Sequence, residues 1–153
     1  MPAPLFSKEW AAAVREAVDR RPDEELRATK LPMYWDWIEA VRSRYTASWA
    51  LGVHDLPGGP RYLRLDWTDG ACTDAAIVGP DEPLTATYLL TADQQTWREL
   101  LAGADPGKTV MYRRLRLQEG DVLAFFRGIY FFVEAVAALA RVPAGAVELH
   151  WAP

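Results

Sequence analysis

Residues 103–109, Gly-Ala-Asp-Pro-Gly-Lys-Thr, carry the glycines and the Lys-Thr pair of a phosphate-binding loop. The spacing argues against a nucleotide site, because three residues separate Gly103 from Gly107 and the motif needs four. The stretch also follows a predicted helix, whereas a phosphate-binding loop leaves a strand and opens a helix. We therefore interpret the two glycines as a helix cap and a turn.

A second chemically active stretch is the basic run Arg113, Arg114 and Arg116, next to Tyr112. Arg114 and Arg116 share one face of a predicted strand, while Arg113 points the opposite way, toward the interior. One interpretation is a charged strand that resists edge-to-edge pairing. The other is a contact for an anionic head group, such as a fatty carboxylate or an acyl-coenzyme A phosphate, with Arg113 as the candidate.

The residues needed for catalysis or metal binding are sparse. The two histidines, His54 and His150, lie beside no serine or cysteine nucleophile motif, and with Cys72 they do not make a zinc site. Three aspartates lack the spacing of a calcium loop and indicate a solvated hairpin: Asp66, Asp69 and Asp74. We expect no catalytic residues, no metal and no cofactor.

Composition limits the class of protein further. The chain has 153 residues, of which 50% are hydrophobic and 25% charged, as in a soluble domain. Its net charge of −4 argues against a nucleic-acid partner. The single cysteine allows no internal disulfide and fits a reducing cytosol. No signal segment is visible, and Arg127 and Glu134 interrupt the most apolar stretch, so we expect a cytoplasmic protein without an integral membrane segment.

The pattern of the chain predicts an α+β domain. Ser7 caps a first helix to about Arg21, and a second helix runs from about Met33 to Tyr45. Alternating residues then predict four strands, at 47–54, 62–67, 71–78 and 84–90, with an Asp69-Gly70 hairpin between the second and third. Short connections between them favour an antiparallel meander.

Helical spacing returns after the fourth strand. A Thr91–Gln94 capping box predicts a helix that buries Trp97 and ends at Gly103. A fifth strand follows at 110–118, with Leu115 and Leu117 facing inward. Asp121 then caps a long, apolar final helix to about Arg141.

The apolar surface of this final helix exceeds what docking on a sheet requires. Its charged residues Arg127, Glu134 and Arg141 are spaced by seven and fall on one stripe, while apolar side chains cover the rest. The surplus must meet other helices, a second subunit or a bound ligand.

Three short motifs in a fixed order resemble the sterol carrier protein 2 (sterol-transfer) family, in its bacterial single-domain type. They are Leu-Leu-Thr-Ala-Asp at 89–93, Leu-Leu-Ala-Gly-Ala-Asp-Pro at 100–106 after Trp97, and Leu-Arg-Leu-Gln-Glu-Gly-Asp at 115–121. The resemblance covers about 46–142. We expect one domain, with a helical lead at 1–45, a sterol-carrier-like core at 46–142 and a tail at 143–153.

The resemblance implies a five-stranded, mostly antiparallel sheet covered on one face by helices. It also implies an apolar tunnel between the sheet and the C-terminal helix, for sterols, fatty acids or other acyl chains. The residues expected to line it are Trp49, Leu51, Trp97, Phe125, Phe126, Ile129, Phe132, Val133 and Val136, with Arg113 at the head group.

Three functions remain open from the sequence. The leading hypothesis is non-catalytic carriage of an apolar ligand. The first alternative is an accessory or dimerisation module, with a filled core, of an enzyme of lipid, quinone or aromatic-acid metabolism, which would make a homodimer. The second is a small isomerase acting on a thiol conjugate, dependent on His54 or Arg113.

Overall fold

The computed structural model describes residues 2–145, which form seven helices and five strands. The helices are α1 (Lys8–Asp19), α2 (Glu24–Arg27), α3 (Pro32–Arg42), α4 (Gln94–Leu101), α5 (Pro106–Met111), α6 (Val122–Arg127) and α7 (Ile129–Ala140). The strands are β1 (Ala47–Val53), β2 (Arg61–Thr68), β3 (Ala71–Val78), β4 (Tyr88–Ala92) and β5 (Arg116–Glu119). Over this range, no helix has the length and apolar character needed to span a bilayer.

The strands form one mixed sheet in the order β3-β2-β1-β4-β5. Three neighbouring pairs are antiparallel, but β4 runs parallel to β1, with Trp49 opposite Tyr88 and Leu51 opposite Leu90. The predicted meander is therefore wrong at the step from β3 to β4. Residues 79–87 can span about 30 Å when extended, which is enough to return along the sheet and enter beside β1.

The strand β2 follows the sequence pattern closely, whereas β1 has Ala50 and Gly52 buried on the face predicted to be less covered. On β2, Leu63, Leu65 and Trp67 are buried, and the residues between them are only partly covered. Asp69 and Gly70 both have positive φ, of 47° and 83°, as a two-residue hairpin turn requires. The predicted hairpin between β2 and β3 is confirmed.

The helices cover one face of this sheet. Side chains of α1, including Trp10 and Val14, are buried, and the helix packs on β3. The Ser7 hydroxyl accepts a hydrogen bond from the backbone N–H of Trp10, so the predicted cap is confirmed. The opposite face of β2 remains half-exposed. The α+β class is therefore confirmed, with the core between the sheet and the helices.

The predicted continuous final helix is wrong, because it divides at Gly128 into α6 and α7. Glycine has a low helix propensity. The backbone of Gly128 lies against α3 and the segment that follows it. A Cβ atom built on Gly128 would lie 3.5 Å from the Tyr45 ring and 3.6 Å from Val41. Both are ordinary van der Waals distances, and beyond the division Phe131 and Phe132 of α7 are buried in the core.

Three further boundaries differ from the sequence prediction. The fourth strand, expected at 84–90, begins only at Tyr88. Thr91 belongs to that strand, so the predicted capping box does not form; Asp93 caps α4 instead, accepting a 2.7 Å hydrogen bond from the Thr96 N–H. The strand expected at 110–118 is shortened to β5, because Pro106 starts the helix α5.

Candidate functional site

A cavity of about 810 Å³ lies between the β4–β5 edge of the sheet and the helices α5, α6 and α7. Its apolar lining is Tyr34, Leu90, Val110, Met111, Leu115, Leu117, Val122, Phe125, Phe126, Ile129, Tyr130 and Val133. The volume falls within the range of about 300–1,000 Å³ that is usual for small-molecule sites. Its mouth is at the surface, since Met111, Phe126 and Tyr130 are exposed.

Strand register and helix spacing explain how these side chains converge. Leu90 on β4 is the register partner of Leu117 on β5, so both side chains project from the same face of the sheet. Ile129 and Val133 are one turn apart on α7 and face the same way. The helix α5 packs against α7, where the Cβ position of Gly107 is 3.9 Å from the Val133 side chain, an ordinary van der Waals distance.

The structure brings together five of the residues that the sequence assigned to the site. Phe125, Phe126, Ile129 and Val133 line the cavity from α6 and α7, and Arg113 lines it from the segment after α5. Phe125 is buried, while Phe126 is 48% exposed at the mouth.

The other five predicted lining residues lie in the core, outside the cavity lining: Trp49, Leu51, Trp97, Phe132 and Val136. Aromatic packing fills the space beneath the centre of the sheet. The Trp49 ring centroid is 5.0 Å from that of Phe132 and 5.1 Å from that of Trp67. The cavity is therefore displaced from the middle of the sheet toward β5.

Trp97 has a structural contact that explains its position. Its indole Nε1–H donates a 2.9 Å hydrogen bond to the Gly52 carbonyl on β1, and its ring meets Phe6 at 5.1 Å. This bond fixes the buried side of α4 to the sheet.

The polar part of the cavity lining is mainly cationic, with Lys30, Lys108, Arg113 and Arg116 against the single carboxylate of Asp105. Arg113 has φ of 61°, a left-handed conformation that costs a non-glycine residue about 1–2 kcal/mol. Within the described part of the chain, its guanidinium makes no hydrogen bond or ion pair. Arg114 and Arg116 were predicted to share one face of a strand, and this is wrong because Arg114 precedes β5. Arg114 instead forms an ion pair with Glu99.

A polar cluster lies beside the cavity, whose lining includes Lys30 and Tyr34. Glu134 on α7 accepts a 2.6 Å hydrogen bond from the Tyr34 hydroxyl and a 2.9 Å bond from Lys30 Nζ. Burial, followed by the hydrogen bond to Glu134, raises the pKa of Tyr34, so the hydroxyl stays protonated and remains a donor.

A second cavity of about 680 Å³ lies on the other side of this cluster, between α1, α2, α3 and α7. Its walls mix apolar side chains with exposed charges of both signs, such as Arg20, Arg21, Glu16 and Glu25. None of the ten predicted site residues lines it.

Groups that could perform catalysis are dispersed. His54 is exposed at the end of β1, and His150 lies outside the described residues. Burial raises the pKa of the Cys72 thiol to about 11, which removes it as a nucleophile near neutral pH. Residues 2–145 contain no group of three or more side chains that could hold a metal ion.

The contributions of α3 and α5 to the site were not predicted from the sequence. Tyr34 belongs to an unusually aromatic stretch, which was a usable signal for a ligand-facing position. Val110 and Met111 were assigned to a strand, and therefore their approach to α7 could not be anticipated.

Comparison with solved structures identifies the fold as that of sterol carrier protein 2. A crystal structure of sterol carrier protein 2 matches with a TM-score of 0.70 and 26% sequence identity, over 91% of this chain and 99% of that chain. The solution structure of a conserved hypothetical protein of Thermus thermophilus, whose description suggests a sterol carrier protein, matches with a TM-score of 0.67 and 25% identity. That match covers 94% of this chain and 95% of the other.

The resemblance drawn from the three sequence motifs is thus confirmed at the level of the fold. No protein-family model and no curated protein matches the chain.

Proposed function

We infer that this protein binds an apolar ligand, of the fatty acid, acyl-chain or sterol-like class, without catalysing a reaction. The observation that carries this proposal is the cavity of about 810 Å³ lined by twelve apolar or aromatic side chains. The names of its structural neighbours, sterol carrier proteins, support the same class of ligand.

The energetics of such binding need no special polar contact. Each methylene moved from water into the cavity contributes about 0.8 kcal/mol, so an acyl chain of moderate length gains enough to offset the cost of association. The half-exposed Phe126 at the mouth would become covered by the ligand.

Arg113 is the proposed contact for an anionic head group. The residue keeps a left-handed backbone at a helix C-terminus, where glycine would be less strained, and its side chain lines the cavity. A guanidinium can bind a carboxylate or phosphate through two parallel hydrogen bonds. The backbone strain is consistent with retention of the arginine for binding.

The accessory-module alternative is less favoured. It expects the surplus apolar face of the final helix to be covered by another chain. Four large apolar residues of α7 are instead buried within this chain: Phe131, Phe132, Val136 and Leu139. The exposed remainder of that face is Val122, Leu123, Phe126 and Tyr130.

Titration with a fluorescent fatty acid tests the proposal. Wild-type protein should bind one equivalent, and Val133→Trp, which fills the cavity from α7, should abolish uptake. The matched control Val142→Trp lines the second cavity and should bind as wild type does. No uptake by wild type, or uptake that Val133→Trp leaves unchanged while Val142→Trp removes it, would overturn the assignment.

A further inference from the structure

Seven large apolar side chains are exposed around the opening of the cavity, and we call them the mouth surface: Met33, Trp37, Met111, Val122, Leu123, Phe126 and Tyr130. Trp37 is 60% exposed and Leu123 73%. A globular protein rarely leaves so many large apolar groups together in water unless the surface binds something.

Spacing along α3 and one ring contact between α3 and α7 join part of the mouth surface. Met33 and Trp37 are one turn apart on α3, and the Trp37 ring lies 6.3 Å from the Tyr130 ring at the start of α7. Phe126 lies one turn before Tyr130, across the Gly128 break. Met111, Phe126 and Tyr130 also line the cavity, so the exposed surface surrounds its mouth.

Most charges in the cavity lining are opposite in sign to the charge of the whole chain, with four cations and one carboxylate. Lys108, Arg113 and Arg116 are exposed there and make no ion pair within the described residues, although the chain carries a net charge of −4. The carboxylate among the cavity-lining residues, Asp105, accepts a 2.8 Å hydrogen bond from the Gly107 N–H and caps α5. The opening is therefore complementary to an anionic partner.

We propose that the mouth surface docks on an anionic lipid bilayer, with the cavity opening held against the headgroups. Tryptophan and tyrosine favour the membrane–water interface, and lysine and arginine are attracted to anionic headgroups. The proposal rests on the proposed function for its purpose, which is delivery of an apolar ligand, but docking is measured separately from ligand uptake.

Two other arrangements fit the structure less well. A symmetric contact between two copies through the mouth surface would bring the same three cations of each copy together. The amphipathic helix α1 is not available for docking, because its apolar residues Trp10, Val14 and Val18 are buried in the core. The bilayer therefore meets α3, α5, α6 and α7.

Co-flotation with vesicles tests this docking. Wild-type protein should float with vesicles of phosphatidylcholine and phosphatidylglycerol but not with phosphatidylcholine alone, and salt at about 1 M should release it. Met33→Ser/Trp37→Ser should weaken binding at least about tenfold. These two residues lie outside the cavity lining, so fatty-acid uptake in solution should be unchanged.

Neutralising two pairs of cations tests the electrostatic part of the docking. Lys108→Gln/Arg116→Gln should weaken vesicle binding roughly 30-fold, at about fivefold for each cation. The control Lys8→Gln/Arg44→Gln removes the same charge from exposed positions outside the mouth surface and should bind within about twofold of wild type.

Docking is overturned if wild type takes up fatty acid but does not float with anionic vesicles, or if Met33→Ser/Trp37→Ser floats as well as wild type. It is also overturned if wild type is a dimer that Met33→Ser/Trp37→Ser converts to a monomer. Loss of fatty-acid uptake alone, with vesicle binding intact, contradicts the proposed function and not the docking.

Discussion

The Tyr34 hydroxyl on α3 donates a 2.6 Å hydrogen bond to the Glu134 carboxylate on α7, 100 residues later in the chain. The Glu134 side chain is 13% exposed and also pairs with Lys30. This bond ties the N-terminal helices to the helix that carries Ile129 and Val133, and it forms the wall between the two cavities. The lead before the sheet is therefore part of the site.

Removing that hydroxyl should lower stability modestly. Tyr34→Phe leaves the Glu134 carboxylate with one fewer donor, and we expect the free energy of unfolding to fall by about 1 kcal/mol in urea denaturation. The control Tyr112→Phe removes a hydroxyl from a side chain that is 69% exposed, and should change stability little. Equal effects of the two substitutions would contradict the role of the Tyr34 bond.

Two phenylalanines near the cavity should behave oppositely in unfolding experiments. Phe132 is packed against Trp49 and Phe125, so Phe132→Ala should cost about 3–5 kcal/mol. Phe126 is half-exposed, and Phe126→Ala should cost less than about 1 kcal/mol while weakening fatty-acid binding. A large loss of stability in Phe126→Ala would contradict its position at the mouth.

Arg113 offers a test in which stability and binding move in opposite directions. Arg113→Gly relieves the left-handed backbone and should raise the free energy of unfolding by about 0.5–1 kcal/mol. The same substitution should weaken binding of a fatty acid but not of the corresponding fatty alcohol, which lacks the negative charge. An equal loss of affinity for both ligands would contradict a head-group contact.

The positions of the first strands were predictable from the sequence, but the order of the strands in the sheet was not. Alternation of apolar and polar residues located β1 and β2, because side-chain burial has a period of two in a half-buried strand, and the Asp69-Gly70 turn located β3 after them. Alternation does not reveal which strands are neighbours, so the parallel pairing of β4 with β1 was missed. Two local boundaries also differ from the prediction. Asp93, not Thr91, caps α4, and Pro106 starts a helix where a strand was expected.

The candidate site was predicted in part for the same physical reasons. The resemblance to the sterol carrier family, together with the apolar excess on the final helix, indicated Phe125, Phe126, Ile129 and Val133, which line the cavity. Helical spacing over 121–141 did not separate cavity-lining from core positions, because the helix divides at Gly128 and the Phe132 ring packs against Trp49. Phe132 and Val136 therefore lie in the core.

Alkaline pH should destabilise the protein through Cys72. Burial, followed by the negative charge of Asp19, raises the pKa of its thiol from 9.0 to about 11 in the folded state. Between pH 9 and 11 the unfolded chain loses this proton and the folded protein keeps it, so stability is full below pH 9 and falls as pH rises.

The Cys72→Ala variant isolates this effect. Its unfolding free energy should decline less steeply than that of wild type between about pH 9 and 10, whatever its absolute stability. Parallel pH curves for the two proteins would show that the buried thiol is not the titrating group.

The most direct test of apolar-ligand binding is native mass spectrometry of the purified protein, followed by solvent extraction and identification of any released molecule. Binding of an apolar ligand in the cavity predicts a lipid-like molecule at close to one equivalent, retained by wild type and absent from Val133→Trp. A clean ligand-free chain that also ignores a panel of fatty acids and sterols would contradict it.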